Sequence, residues 1–421
     1  MEIHVEKFGG ASVNSANAVQ NVVKILKTQP SKTVVVVSAM GKTTNSLEKI
    51  LNSFIATHTL NEEVLNALIL YHKNIINDLF GNNYNKDYIM RLFDNIITML
   101  FSYKEKDYDF LYDQIISFGE LISSTIISQY LTFSGIKHRF IQAKDVIKTD
   151  NVFRSANVDW NLTTKKTDEI IVPALEEVDL ILTQGFIGST QNNLTTTLGR
   201  EGSDYTAAIL SYCLNAKDCT IWKDVSGVLN ADPKRMTNTT KIDTLSYSEA
   251  IELSYYGATI IHPKTIKPLE NRNIPLYVKS FLSPTNKGSM ICNCKTQLPT
   301  SYIFKDNQVL LSIFPRDFSF IAEENISSIF AILAKHRIKV NLMQNSAISF
   351  SLCFDEDVNE KCFELLLNDL QKDYKVRYNC HLQLLTIRHY TQQSIDEQIT
   401  GKKILIEQRS RTTAQYLLQE V

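Results

Sequence analysis

The sequence predicts an α/β chain in two parts: a mainly parallel sheet held between helices over residues 1–298, then a βαββαβ unit over 303–421. Three observations carry that reading. Val34 to Val37 is a continuous β-branched run of the kind buried on both faces of a parallel sheet. Glycine-bearing loops stand where strand gives way to helix, at Gly9-Gly10 and at Gly199 to Gly202. After about residue 300, strands and amphipathic helices follow a different order.

Glu2 to Phe8 alternates like a strand and runs into Gly9-Gly10-Ala11-Ser12-Val13 before a helical stretch from Ala16 to Leu26. This is the layout of a phosphate cradle, in which backbone amides must approach oxygens that a Cβ would obstruct. Lys7 at the strand end can point at the same phosphates. The spacing is neither a P-loop nor GxGxxG, and for this loop alone a tight turn with a solvated lysine is the simpler account. Residues 61–133 read as a helical lobe, and it carries Glu120. Its carboxylate sits in an apolar segment, where an unpaired charge is costly, so a purely structural role is the harder reading.

Strand and helix alternate again from Lys137: Arg139 to Gln142, Leu180 to Thr183, a helix after Ser203, then Thr220 to Trp222. Ser203 reads as the N-cap with Asp204 in the first turn, so the loop with Arg200 offers amides and a helix dipole to a phosphate or carboxylate. An ordinary capped helix has equal standing there. Tyr205 reads as packing. Lys223 and Asp224 fall just past the carboxyl end of a strand, where open α/β sheets bind ligands, and a loop closed by Asp232-Pro233-Lys234 follows. Each of these residues taken singly fits a surface turn. Ser246 and Glu249 make a capping box for a helix that stops at Gly257. His262 before Pro263 reads as a helix start. Ile274 to Phe281 closes the sheet, and residues 295–300 form a linker.

In the second part, Val309 to Phe314 reads as a strand, and Ile326, Ile329, Phe330 and Leu333 share one helical face. Val340 to Met343 and Ile348 to Phe354 are strands, Phe363 to Leu370 gives a second amphipathic helix, and Tyr374 to Ile387 a last strand. That order makes a ferredoxin-like sandwich. Beyond Arg388, a strand at Lys403 to Glu407 and a short helix at Thr412 to Gln419 suggest an abbreviated second unit.

Composition narrows the function. The 421 residues are 44% hydrophobic and 21% charged, which describes a globular chain with ample core. A net charge of −1 without a basic block argues against nucleic acid as partner. The seven cysteines lack zinc spacing and read as reduced thiols, and no apolar run approaches the ~20 residues of a membrane span, so a cytoplasmic protein is expected.

Six patterns, in order along the chain, resemble the aspartate kinase branch of the amino-acid kinase family. They are Lys7 to Ser12, Val35 to Met40 followed by Gly41 and Thr43-Thr44-Asn45, Phe118-Gly119-Glu120, Thr197 to Ala207, Trp222 to Lys234, and Gly257 to Pro263. The resemblance implies an amino-acid kinase fold followed by an ACT-type domain. It further implies transfer of the ATP γ-phosphoryl group to the β-carboxylate of L-aspartate, the first step toward lysine, threonine and methionine. Lys7 would then meet the transferring phosphoryl group, with the amides of Gly9, Gly10 and Gly41 and with Ser12 and Ser38. Arg200 would grip a carboxylate, Glu120 would receive the substrate ammonium, and Asp204 would orient Lys7 or share that ammonium. Thr44, Gly202 and Ser203 fall on the substrate side. Lys223, Asp224, Leu229, Asp232, Lys234 and Thr259 fall on the nucleotide side.

Two departures stand out on that side. Family members commonly carry threonine at Lys223 and lysine at Thr259, which reads as one reciprocal exchange that keeps a cation near the phosphates. Leu229 stands where an aromatic residue is often found. Mg2+ is expected to bridge the β- and γ-phosphates without an all-protein cage. The ACT-like region implies a homodimer and an amino-acid effector, lysine or threonine. Asn341 stands where the family places aspartate, leaving Ser346 and the backbone around Asn341 as candidates. Two rivals remain: another acylphosphate-forming kinase acting on glutamate or an acetylated relative, and a catalytically impaired amino-acid sensor. No dinucleotide fingerprint supports a fused homoserine dehydrogenase.

Overall fold

The computed structural model describes residues 2–28, 32–81, 84–258, 261–317, 319–356 and 360–419. They form two compact units, one of residues 1–228, 241–251 and 260–296, the other of 229–240, 252–259 and 297–421.

Unit 1 opens with strand β1 (His4–Phe8), helix α1 (Ala16–Leu26) and strand β2 (Thr33–Val37). Ser15 caps α1 by accepting from the Ala18 amide at 3.2 Å, and Val19, Val22, Val23 and Leu26 bury one stripe of it. All five residues of β2 are buried, as a two-faced parallel strand requires. Helices α2 (Thr43–Thr57), α3 (Glu62–Phe80), α4 (Asp87–Ser102), α5 (Tyr108–Ile116) and α6 (Phe118–Phe133) build the lobe. Side chains of Asn61 and Asp107 cap α3 and α5. The chain passes from α5 into α6 through one helical residue, Ser117.

Strand β3 (Arg139–Phe140), helices α7 (Ala143–Val146), α8 (Trp160–Lys166) and α9 (Val172–Glu177), and strand β4 (Leu180–Gln184) follow. A hairpin of β5 (Ile187–Ser189) and β6 (Thr195–Thr197) leads to α10 (Gly202–Leu214) and β7 (Asp218–Lys223). Next come β8 (Val228–Leu229), β9 (Lys241–Ile242), β10 (Thr244–Ser246), α11 (Tyr247–Tyr256), α12 (Pro263–Asn271), β11 (Leu276–Ser280) and β12 (Ser289–Cys292).

The main sheet has the order β10-β12-β11-β7-β1-β2-β4-β3, parallel except where β12 meets β11. Phe8 lies opposite Val37 and Trp222, and Val37 opposite Gln184, so four strands end level. On one face Phe8, Val35, Val37 and Met40 join a core with Phe54, Phe93, Ile122 and Ile126 of the lobe. Strand β11 does not close the sheet as expected, because β12 and β10 lie outside it. Those strands span four and three residues, too short for a period to register. Strand β3 likewise covers only the first half of the expected Arg139 to Gln142.

Unit 2 contains β13 (Ser301–Pro315), α13 (Glu323–Lys335), β14 (Val340–Ser346), β15 (Ser349–Asp355), α14 (Glu360–Gln371), β16 (Tyr374–Arg388), α15 (Gln392–Ile399), β17 (Lys403–Arg409) and β18 (Thr413–Gln419). They make one sheet of order β14-β15-β13-β16-β18-β17. The expected ferredoxin-like sandwich uses Gln308–Ile313 of β13 against β15. The other ends of β13 and β16 continue past register shifts at Lys305/Gln308 and Gln308/Leu310, and Gln383–Arg388 pairs with β18. Asn307 and His381 take left-handed backbone conformations at this crossing, with φ of 52° and 55°.

Here the structure corrects the sequence reading twice. Thr412 to Gln419 was expected to be helical, but Thr413–Gln419 is a strand between β16 and β17, with Ala414, Tyr416 and Leu418 on one buried face and Leu417 on the other. Burial on both faces hides the period of two. Residues 392–399 form a helix no period announced, although Thr391 and Ser394 cap it reciprocally at 2.9 and 3.1 Å.

No helix among the described residues is long and apolar enough to cross a membrane, and all seven cysteines are free thiols.

Candidate active site

Because β1, β2, β4 and β7 end level, the loops that follow them share one end of the sheet. Lys7, the penultimate residue of β1, is buried, and its Nζ pairs with Asp204 Oδ1 at 2.5 Å. Lys223, last in β7, approaches Asp204 Oδ2 at 3.7 Å. Burial works against the Asp204 carboxylate, yet the Lys7 and Lys223 ammonium groups hold it below the usual carboxylate range. This contact bears on the first of the two roles expected of Asp204, orienting Lys7 or sharing the substrate ammonium.

The loop after β1 is shaped for close approach. A Cβ on Gly10 would lie 2.9 Å from the Ala39 carbonyl oxygen, and one on Gly9 3.3 Å from Lys7 Nζ. Gly41 has φ of +54° and donates its amide to the Gly10 carbonyl at 3.1 Å, while the Ser38 amide donates to Phe8 at 3.1 Å. The loops after β1 and β2 are therefore stitched together. Ser12 is buried, and its hydroxyl has no partner among the described residues. At Gly10 a Cβ would strike the carbonyl oxygens of Ala39 and Gly41, so that glycine serves the contact between the loops, while the orphaned Ser12 hydroxyl beside them fits a polar ligand such as a phosphate.

Glu120 in the first turn of α6 is buried, with Oε1 accepting from the Ala39 amide at 3.2 Å and Oε2 unpartnered. Burial pushes its carboxyl up to about 8, against the Ala39 amide and nearby Lys7. Gly119 permits this approach, since its Cβ would meet Ala39 at 3.0 Å. Thr44 stands in the first turn of α2, whose N-cap residue Lys42 supplies no side-chain cap.

Ser203 is not the N-cap of α10. Glu201 holds that place in a left-handed conformation without a side-chain cap, and Ser203 lies within the first turn, packed where a Cβ on Gly185 would come to 2.5 Å. The helix starts two residues earlier than serine chemistry suggests, after a turn in which Gly199 and Glu201 both take positive φ. Arg200 is exposed on this turn, two residues ahead of Gly202, the first of α10. Its guanidinium has no ion pair among the described residues. Tyr205 packs edge-on to Trp160, and His262 caps α12 through the Lys264 amide at 3.1 Å, so both read as expected.

The other nucleotide-side residues are placed less tightly. Asp224 is exposed in the bend after β7. Leu229, Asp232 and Lys234 belong to unit 2, where Asp232 accepts the Lys234 amide at 2.9 Å to close a turn. Thr259 lies outside the described residues, and with it half of the proposed exchange with Lys223. Asn341 is engaged within unit 2: its oxygen accepts from Lys305 at 2.9 Å, and its amide donates to Gln308 and Asp355 at 2.8 and 2.9 Å. Ser346 ends β14, opposite Ser349. No group of three or more metal-ligating side chains gathers among the described residues.

Sequence reasoning missed two buried acids. Glu6 on β1 accepts from Trp222 Nε1, and burial pushes it up to about 8. Asp113 on α5 is fully buried seven residues before Glu120. The cost argument applied to Glu120 would have flagged both.

A model of the amino acid kinase family matches residues 2–280. The chain is 32% identical over 361 residues to lysine-sensitive aspartokinase 3 of Escherichia coli, covering 84% of this chain and 78% of that protein. The chain belongs to the amino acid kinase family, in its aspartokinase branch. It is 30% identical over 298 residues to the chloroplastic bifunctional aspartokinase/homoserine dehydrogenase 2 of Arabidopsis thaliana, with 68% of this chain but 32% of that relative covered. Escherichia coli aspartokinase III in complex with aspartate and ADP, in the R-state, matches with a TM-score of 0.85 at 28% identity over 99% of this chain and 96% of that one. The same enzyme with lysine and aspartate, in the T-state, matches with a TM-score of 0.82 at 28% identity, again over 99% and 96%.

Proposed function

We propose that the chain transfers the γ-phosphoryl group of ATP to the β-carboxylate of L-aspartate, giving ADP and 4-phospho-L-aspartate. The observation that carries this is the Lys7, Asp204 and Lys223 cluster at the carboxyl ends of β1 and β7, with Glu120 close enough to feel Lys7. The Escherichia coli relative described with aspartate and ADP supports both substrates.

A carboxylate is already an anionic nucleophile, so no general base is needed and catalysis reduces to alignment and charge neutralisation. Asp204 fixes the Lys7 ammonium over Gly9, where it meets the phosphoryl group being transferred. Lys223 adds a second cation to the same carboxylate. The Ser12 hydroxyl and the amides of Gly9 and Gly10 hold phosphate oxygens, Gly41 keeps the two loops together through its bond to Gly10, and Ser38 and Asp224 border them. Arg200 grips an acceptor carboxylate at the N-terminus of α10, with Gly202, Ser203 and Thr44 beside it. Glu120 offers its unpartnered oxygen to the acceptor ammonium and ionises as that charge arrives. Mg2+, when bound, neutralises charge between the β- and γ-phosphates.

Leu229, Asp232, Lys234 and Thr259 carry a nucleotide role through the family pattern alone. Lysine as effector is supported by the lysine complex of the Escherichia coli relative. Because the Asn341 side chain is engaged, recognition falls to the backbone there and to Ser346. Strand β14, which has a strand on one side only among the described residues, supports a homodimer through unit 2. A cytoplasmic setting suits free thiols.

Hydroxamate formation with ATP and Mg2+ tests the reaction. Product from aspartate, and none from glutamate or N-acetylglutamate, is expected. Product only from the other acceptors, or from none, overturns it.

A further inference from the structure

Asp113 makes a connection that the reaction scheme leaves unused. Its carboxylate is fully buried on α5, yet it accepts four hydrogen bonds from two separate loops. Oδ1 takes the Thr197 hydroxyl at 2.6 Å and the Arg154 amide at 3.0 Å; Oδ2 takes the Thr197 amide at 2.8 Å and the Arg154 amide at 3.1 Å. Thr197 ends β6, three residues before Arg200, and its carbonyl accepts from the Ala156 amide at 3.0 Å.

The second loop needs this anchor. Arg154 has φ of +68°, a strained conformation for a side chain of its size. Its guanidinium is held on the same helix, 3.1 Å from Asp109 and over the rings of Tyr108 and Tyr112 at 5.2 and 4.8 Å. Gly199 then lies against this loop, since a Cβ on it would sit 3.2 Å from the Arg154 carbonyl oxygen. Helix α5 thus grips both strands of backbone that support the Arg200 turn. Through Ser117 it continues into α6 and Glu120.

We infer that Asp113 is a positioning residue of the acceptor site, fixing the turn that bears Arg200 relative to Glu120 and so setting the length of amino acid the site takes. The inference rests on the proposed roles of Arg200 and Glu120 toward the acceptor. Both groups act on the ends of one small molecule, so a shift of about 1 Å between them costs alignment. Binding of ATP, on the β1 side, does not depend on this spacing.

The test is steady-state kinetics of the full chain with Asp113→Asn, Thr197→Val and Thr197→Ser. Asp113→Asn puts an amide donor against the amides and hydroxyl it now accepts from, so the aspartate KM should rise about 10-fold or more while the ATP KM stays within about twofold. The preference for aspartate over glutamate should fall as well. If that variant does not fold, the pair at Thr197 decides: valine should raise the aspartate KM several-fold and serine, which keeps the hydroxyl, should not. An unchanged aspartate KM in the folded variants, or an equal rise for ATP, overturns the inference while wild-type turnover of aspartate leaves the functional reading standing. A wild-type chain silent toward aspartate removes both.

Discussion

Two sets of polar groups in this molecule are built in opposite ways. In unit 2, buried Gln308 is bonded to half-buried Asn341 and exposed Asp355, Asn341 also meets Lys305 and Asp355, and Gln308 donates to the Asp306 carbonyl at 3.0 Å. Around Lys7 in unit 1, Ser12 Oγ and Glu120 Oε2 are buried without partners. A group left unsatisfied in the interior costs about 1–3 kcal/mol, so a fold keeps one where something else will complete it. The closed network holds a sheet together; the open cluster waits for ligands.

Removing a member from each set should therefore give opposite results. Lys7→Ala removes the cation meant for the transferring group and should lower kcat/KM by on the order of 10³-fold, by analogy with loss of one oxyanion donor, while Ser12→Ala, which deletes a hydroxyl without a partner, should weaken nucleotide binding with a thermal midpoint close to wild type. Kinetics and thermal melts of the same preparations check both halves. Gln308→Leu should do the reverse, lowering stability by about 1–3 kcal/mol in denaturant titrations while the basal kcat holds. If Gln308→Leu lost activity without losing stability, the contrast would be wrong.

Protonation sharpens the comparison. Glu120 lies near 8 in the free protein, so it is mostly neutral at pH 7, and the acceptor ammonium should draw off its proton. Calorimetry of aspartate binding in buffers of different ionisation enthalpy should show close to one proton released at pH 7, and Glu120→Gln should show none. Stability carries a smaller signal. Glu6 and Glu120 are both raised from 4.5 to about 8, so between those values the folded chain holds protons the unfolded chain has given up. The stability they lend is complete below about 4.5 and is lost as pH rises through about 8. Melts of the ligand-free protein from pH 5 to pH 9 should show that fall, and Glu6→Gln, which can keep the Trp222 bond, should lessen it.

How far the residues announced these arrangements depended on the period each element carries. Helix Ala16–Leu26, the valine strand and the order of the first ferredoxin-like sandwich were legible, since each has one buried face or none exposed. The Lys7 and Asp204 pair and the buried Glu120 followed from motifs that put charge at strand ends and in an apolar helix. What failed was local. The start of α10 is set by backbone conformation at Gly199 and Glu201, which a serine nearby does not reveal. In strand β18 Leu417 is apolar on the face opposite Ala414, Tyr416 and Leu418, so the alternation breaks at Tyr416-Leu417-Leu418 and the run can be taken for a helix. The partners of Asp113 needed the geometry, because they lie 41 and 84 positions away.

The shared strands of unit 2 bear on how that unit comes apart. Each of β13 and β16 lends one end to a sandwich on α13 and α14 and its other end to the layer with α15, β17 and β18. Neither half owns its central ribbons outright, so they should melt in a single transition, and trimming the chain after Arg388 would unravel Leu385 and Ile387 from their cover and loosen the far half too.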